Sequence, residues 1–76
     1  MDPATMKLLA VGLAGSVGLM GPALAIGLIG YSALQGLARN PEAGGRISSA
    51  MIVVTAFAEA IGIYALIIAL VLIFAA

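Results

Sequence analysis

The sequence predicts an all-α membrane protein, a hairpin of two transmembrane helices that assembles into a homo-oligomeric ring. Three observations carry this. The chain has only 76 residues, yet it is 64% hydrophobic and 8% charged, with a mean hydropathy of +1.30. A water-soluble domain of this size buries too little core to hide so much apolar surface, so that surface must face lipid or other copies of the chain. Second, the apolar residues fall into two long segments separated by one polar island. Third, small residues are arranged in the first segment so as to invite neighbours. With no cysteine and no histidine, disulfide frameworks, thiol chemistry and the usual zinc sites are absent. A formal net charge of zero without a basic cluster gives nucleic acid no foothold.

The first apolar segment runs from about Leu8 to Ala38 and the second from about Ile47 to Ala76. Each exceeds the ~20 residues that cross ~30 Å of hydrocarbon as a helix. Strands are not expected, because a two-stranded sheet would leave edge groups unpaired in lipid. The expected division is a helix over 5–39, a polar loop over 40–45 and a second helix over 46–75. Between the spans lies "ARNPEAGGR", where Pro41 stops the first helix and Gly44-Gly45 is expected to permit the reversal. Both termini then share one side of the membrane. Arg39 and Arg46 against Glu42, compared with Lys7 against Asp2, place the loop in the cytoplasm by a margin of one charge. Lys7, an apolar stretch and Ala23-Leu24-Ala25 imitate a cleaved signal peptide, but apolar sequence continues through Ile26, Leu28 and Ile29, so an uncleaved span is expected. The missing transit peptide points to a bacterial plasma membrane.

Within the first helix, "GPALAIG" alternates small and larger residues at Gly21, Ala23, Ala25 and Gly27. On a helical wheel the small residues form two stripes. Ala10, Ala14, Gly18, Gly21 and Ala25 make one; Gly12, Ser16, Ala23, Gly27 and Gly30 make the other, about 180° away. Small stripes let helix backbones approach closely in lipid. Two opposed stripes predict a neighbour on each side, a heterologous contact that closes into a ring. Packing within a single hairpin is the plainer alternative. Pro22 is expected to bend this helix modestly, its lost hydrogen bond tolerated against protein.

The second helix carries the chemistry in "TAFAEAIGIYAL". Glu59 is the only Asp, Glu, Lys or Arg between Arg46 and the C-terminus. A bare charge at mid-membrane costs at least ~2.5 kcal/mol, and such acids mark ion pathways by default. A carboxyl that is neutral in lipid and ionised beside a cation or a water path can carry a proton. The structural alternative is a protonated acid bonded to a carbonyl as interhelical glue. Tyr64, five residues on, is either a packing residue or a hydroxyl partner of the carboxyl in its own or a neighbouring copy. Gln35 and Ser32 lie near the polar end of the first helix. Ser48, Ser49 and Thr55 are expected to bond backbone carbonyls and receive no role.

Small residues at alternate positions, then "ARNPEA", then a lone Glu twenty residues after Arg39 resemble the c-subunit of the F-type ATP synthases, over the whole chain. The resemblance implies a ring with first helices inside and second helices outside, in which Glu59 is the ion-binding carboxylate. It implies that Arg39, Asn40 and Pro41 stand for the family's Arg-Gln-Pro loop, which touches the gamma and epsilon subunits of the central stalk, with Asn40 a mild departure. Gly21, Ala23, Ala25 and Gly27 match the alternating-glycine motif, the two alanines thickening the inner helix. The stator a-subunit with its intramembrane arginine and the surrounding membrane lipids are the other implied partners. Sodium-binding members have a Gln where Ile26 stands and a Ser or Thr where Ala60 stands. Proton coupling is therefore implied, with the Phe57 carbonyl and Tyr64 supporting the site, and no cofactor or metal.

Three rival functions are weighed on the residues. A holin-like pore usually carries charged tails, whereas this chain ends in "LIFAA". A small multidrug transporter needs more spans and aromatic contacts than two Tyr and two Phe supply. A purely structural hairpin needs no central acid. There is neither a phosphate-binding loop nor a catalytic constellation, so the chain is expected to be a non-catalytic member of a complex.

Overall fold

The computed structural model describes residues 1–75, and its architecture is one antiparallel pair of long helices. Helix α1 (Pro3–Arg39) and helix α2 (Gly44–Phe74) are joined by Asn40 and a single 3₁₀ turn, Pro41–Ala43. The pair measures 58 × 18 × 8 Å, one helix thick. Both helices are long and apolar enough to span a bilayer, and this is a membrane hairpin. Ala76, the last residue of the second apolar segment, lies outside the described residues.

Helix α1 starts two residues earlier than the sequence predicts, because Asp2 and Pro3 make a strong N-terminus. The Asp2 Oδ1 accepts a 2.7 Å bond from the Thr5 N–H, and Pro3 takes the first helical position, where its missing N–H is harmless. Bonds from Thr5, its hydroxyl first and its N–H second, hold the Asp2 carboxyl below the usual carboxylate range. Pro22 sits inside α1 without ending it. The helix stops at Asn40 for the reason expected: a residue before proline is pushed out of the helical region, and Asn40 adopts φ −142°, ψ 79°. Its N–H still bonds the Gly36 carbonyl at 2.9 Å.

The reversal itself differs from expectation. Gly44 and Gly45 belong to the first turn of α2 instead of the loop, and no residue among those described has a positive φ. Asn40 alone leaves helical conformation before Pro41 starts the 3₁₀ turn, closed by the 3.0 Å bond from the Ala43 N–H to the Asn40 carbonyl. Gly44 matters for space: a Cβ there would lie 3.2 Å from Leu37 Cδ1. Helix α2 therefore begins at 44, two residues before the predicted start, and ends at Phe74, one residue before the predicted end.

The seam between the helices is built from small residues. On α2 the inward positions are Met51, Thr55, Ala58, Gly62, Ala65, Ala69 and Leu72, a 3-and-4 spacing that keeps one stripe facing a left-handed partner. On α1 they include Ala10, Ala14, Gly18, Pro22, Ala25 and Ile26. Contact is close: a Cβ on Gly18 would stand 3.0 Å from the Ala65 Cβ. Among the described residues only Ala58, Gly62 and Ala69 are buried.

The expectation of two neighbour-seeking stripes on α1 is thus corrected in half. Ala10, Ala14, Gly18 and Ala25 turn toward the chain's own α2, with Gly21 exposed at their margin. Gly12, Ser16, Ala23 and Gly27 are exposed, Gly30 is half-buried, and a Cβ at Gly12, Gly21, Gly27 or Gly30 would meet nothing within 4 Å. Of the alternating four, Ala25 alone faces α2. The Ser16 hydroxyl donates to the Gly12 carbonyl, which lets a polar group sit on this open stripe.

Candidate ion-carrying site

Glu59 stands fifteen residues from each end of α2, about 22 Å from either tip at 1.5 Å per residue. It follows the buried Ala58 but is itself exposed, on a flank of the hairpin beside the seam. Two depressions meet there. Toward the termini the wall is Leu19, Pro22, Ala23 and Ile26 of α1 with Gly62, Ile63 and Leu66 of α2, apolar throughout. Toward the loop the wall is Met51, Ile52, Thr55 and Ala56. One turn from the carboxyl α1 packs against Gly62, where a Cβ would make ordinary van der Waals contact with Leu19 Cδ2 at 3.4 Å and the Pro22 ring at 3.6 Å.

The predicted supporting residues do not gather around Glu59 within one chain. Five residues of α-helix turn the chain by about 140°, and two turn it by about 200°. Tyr64 and Phe57 accordingly lie on the opposite flank of α2, 66% and 71% exposed, and neither borders a Glu59 depression. The Phe57 carbonyl lies within the α2 helical ladder, and a carbonyl has a second lone pair that can still accept. Ile26, the position at which a Gln would mark a sodium site, does line the carboxyl's groove. It offers no oxygen. Among the described residues, no three His, Cys, Asp or Glu side chains come together as a metal site. Arg39, Asn40 and Pro41 sit together, exposed, at the hairpin tip.

Sequence reasoning gives no part in this site to Thr55 or Gly62. The spacing holds a signal for both: Thr55 is four residues before Glu59 and Gly62 three after, the separations that share a helix face.

Fold and site define a class: a two-helix membrane hairpin with a polar tip and one exposed mid-span carboxylate on a flank beside the seam. The family model for the ATP synthase C-subunit matches residues 9–72. The ATP synthase c-subunit of Dehalococcoides mccartyi is 51% identical over 76 residues, covering all of both chains. The c-subunit of a Synechococcus species is 46% identical over 77 residues, covering 99% of this chain and 95% of the relative. That of Prochlorococcus marinus is 44% identical over 69 residues, covering 91% and 85%. The chain belongs to the ATP synthase c-subunit family.

Proposed function

We propose that Glu59 carries the coupling proton in an ATP synthase rotor ring built from copies of this hairpin. As a member of the c-subunit family, the chain is a non-catalytic, proton-translocating part of that complex. One observation carries the assignment of Glu59. It is the only acidic side chain on either span, at the midpoint of α2, and it faces outward. A group so placed can meet lipid and a stator in turn.

The steps follow from charge and solvent. A protonated, neutral carboxyl passes through hydrocarbon at low cost, whereas the ionised form does not. Beside an intramembrane arginine of the stator a-subunit, the anion is favoured and the proton leaves. Reprotonation from the other side of the membrane returns the group to lipid, so proton flow biases rotation. The wall around Glu59 supports a proton over sodium: Ile26 lines it and Ala60 follows, so a hard cation would find one carboxylate and few other oxygens.

The shape of the hairpin supports α1 inside and α2 outside. The open stripe of α1 is Gly12, Ser16, Ala23 and Gly27, while α2 exposes Ile52, Val53, Phe57, Ile61, Ile67 and Ile68. A small-residue stripe lets first helices approach one another closely, as the smaller radius demands. With Glu59 on one flank of α2 and Tyr64 and Phe57 on the other, neighbours meeting flank to flank bring Tyr64 and the Phe57 carbonyl of one copy toward Glu59 of the next. The exposed tip, Arg39, Asn40 and Pro41, is the surface for the gamma and epsilon subunits of the central stalk. In a bacterial plasma membrane this puts the loop in the cytoplasm.

Glu59→Gln tests the core of the reading. The expected result is an assembled complex whose proton flux in reconstituted vesicles falls to background, with wild-type flux unaffected by sodium. Flux near the wild-type rate in the Gln variant would overturn it.

A further inference from the structure

We propose that Thr55 is a second polar member of the Glu59 site, its hydroxyl hydrogen-bonding the carboxyl from the loop side. The inference rests on Glu59 being the proton carrier and adds a partner within the same chain. Residues four apart on a helix stack, with Cβ atoms about 5–6 Å from each other. A helical side chain leans toward the N-terminus of its helix, so Glu59 leans over the turn that holds Thr55. The two residues border the same depression, and around both depressions Thr55 is the one polar side chain besides Glu59.

Its hydroxyl is available. Ser16 donates to the Gly12 carbonyl one turn back, whereas the Thr55 hydroxyl makes no hydrogen bond among the described residues, neither to a backbone carbonyl nor to Glu59, so the proposed bond is one the two side chains adopt in the assembled ring. Thr55 is half-buried on the seam, so its methyl suits α1 packing while its oxygen serves the carboxyl. No titratable group competes for Glu59 within the hairpin: the α1 wall is Leu19, Pro22, Ala23 and Ile26, and Tyr64 occupies the far flank of α2. In the flank-to-flank packing proposed above, a neighbouring copy brings its own Tyr64. The surroundings of the carboxyl are therefore one-sided. Toward the loop it has a hydroxyl within its own depression that can donate to it; toward the termini it has hydrocarbon.

The test is the pH dependence of Glu59 modification by dicyclohexylcarbodiimide, which attacks protonated carboxyls, in the assembled ring, with the adduct located by mass spectrometry. Thr55→Val keeps the shape and removes the hydroxyl; Thr55→Ser keeps the hydroxyl. The expected result is a labelling midpoint about one pH unit higher in the Val variant, a tenfold gain in proton affinity. The Ser variant should stay within a few tenths of a unit of wild type. A Val midpoint equal to wild type overturns the proposal, as does a Ser variant that moves as far as Val. If Val rings do not assemble, Thr55→Ala removes the hydroxyl without adding bulk and is read the same way. Wild-type Glu59 that never labels overturns both the carrier assignment and this one. Wild-type labelling with an unmoved Val midpoint overturns this one alone.

Discussion

The two small-residue stripes of α1 look alike in sequence and have different fates. One carries Ala10, Ala14, Gly18 and Ala25 and is closed against α2; the other carries Gly12, Ser16, Ala23 and Gly27 and stays open. Composition does not decide between them. The partner does: α2 presents Ala58, Gly62, Ala65 and Ala69 as one matching small stripe, and that stripe closes on a single face of α1. In lipid, association depends on backbone approach, not on hiding apolar area, so the face that meets a small counterpart wins. The remaining stripe stays open in the single hairpin, available to the neighbouring copy proposed above.

Substitutions can break that comparison, and the largest effect should come at the closed stripe. Gly18→Leu drives a side chain into the position where a Cβ alone already stands 3.0 Å from Ala65. Overpacking of this kind costs about 1–3 kcal/mol. The hairpin should lose helix–helix contact in detergent, read as a loss of proximity between spin labels on the two helices. At the open stripe, a Cβ on Gly27 meets nothing within 4 Å, so Gly27→Leu should leave the single hairpin intact in the same measurement. Ring assembly should fail or change copy number instead, as native mass spectrometry would show. Equal damage to the hairpin by both substitutions would erase the distinction between the stripes.

Smaller effects sharpen the picture at the ends. Gly44→Ala should be close to neutral in thermal unfolding. The gain in helix propensity, about 1 kcal/mol, is opposed by crowding against Leu37 Cδ1 at 3.2 Å, the tip of a flexible side chain. A left-handed turn glycine would instead be clearly destabilised by alanine. The smallest effect concerns Asp2. Because its carboxyl is held below the usual range by Thr5, its contribution is present at neutral pH and is lost as pH falls through the carboxylate range and below. Protection factors of the Thr5 and Met6 amides, with rates corrected for the intrinsic pH dependence of exchange, should fall on acidification, while those of mid-helix residues stay unchanged over the same range.

Much of this is legible from residue order. Two apolar runs, Pro41 between them and one acid in the second run dictate the hairpin and the candidate carrier, because hydrocarbon leaves few alternatives for backbone and charge. What escapes depends on the facing helix. Gly44 and Gly45 read as a flexible turn, yet they are helical, since a single pre-proline residue and a 3₁₀ turn suffice to reverse the chain. Tyr64 is near Glu59 in sequence and far from it around the helix, a distinction that counting to five without the 100° step conceals. Thr55 reads as a self-satisfied hydroxyl in sequence, although its four-residue spacing from Glu59 puts the two on one helix face, and the shared depression is what brings them together as a site.

The tip has a mechanical consequence. One residue, Asn40, interrupts an otherwise helical path from Pro3 to Phe74, and Pro41 fixes its own backbone angle there. With no glycine in a left-handed conformation to act as a swivel, the connection is a stiff elbow. A sideways load applied at Arg39, Asn40 and Pro41 would be passed into two helices at once instead of being absorbed by a glycine swivel, which suits the stalk contact proposed for this tip.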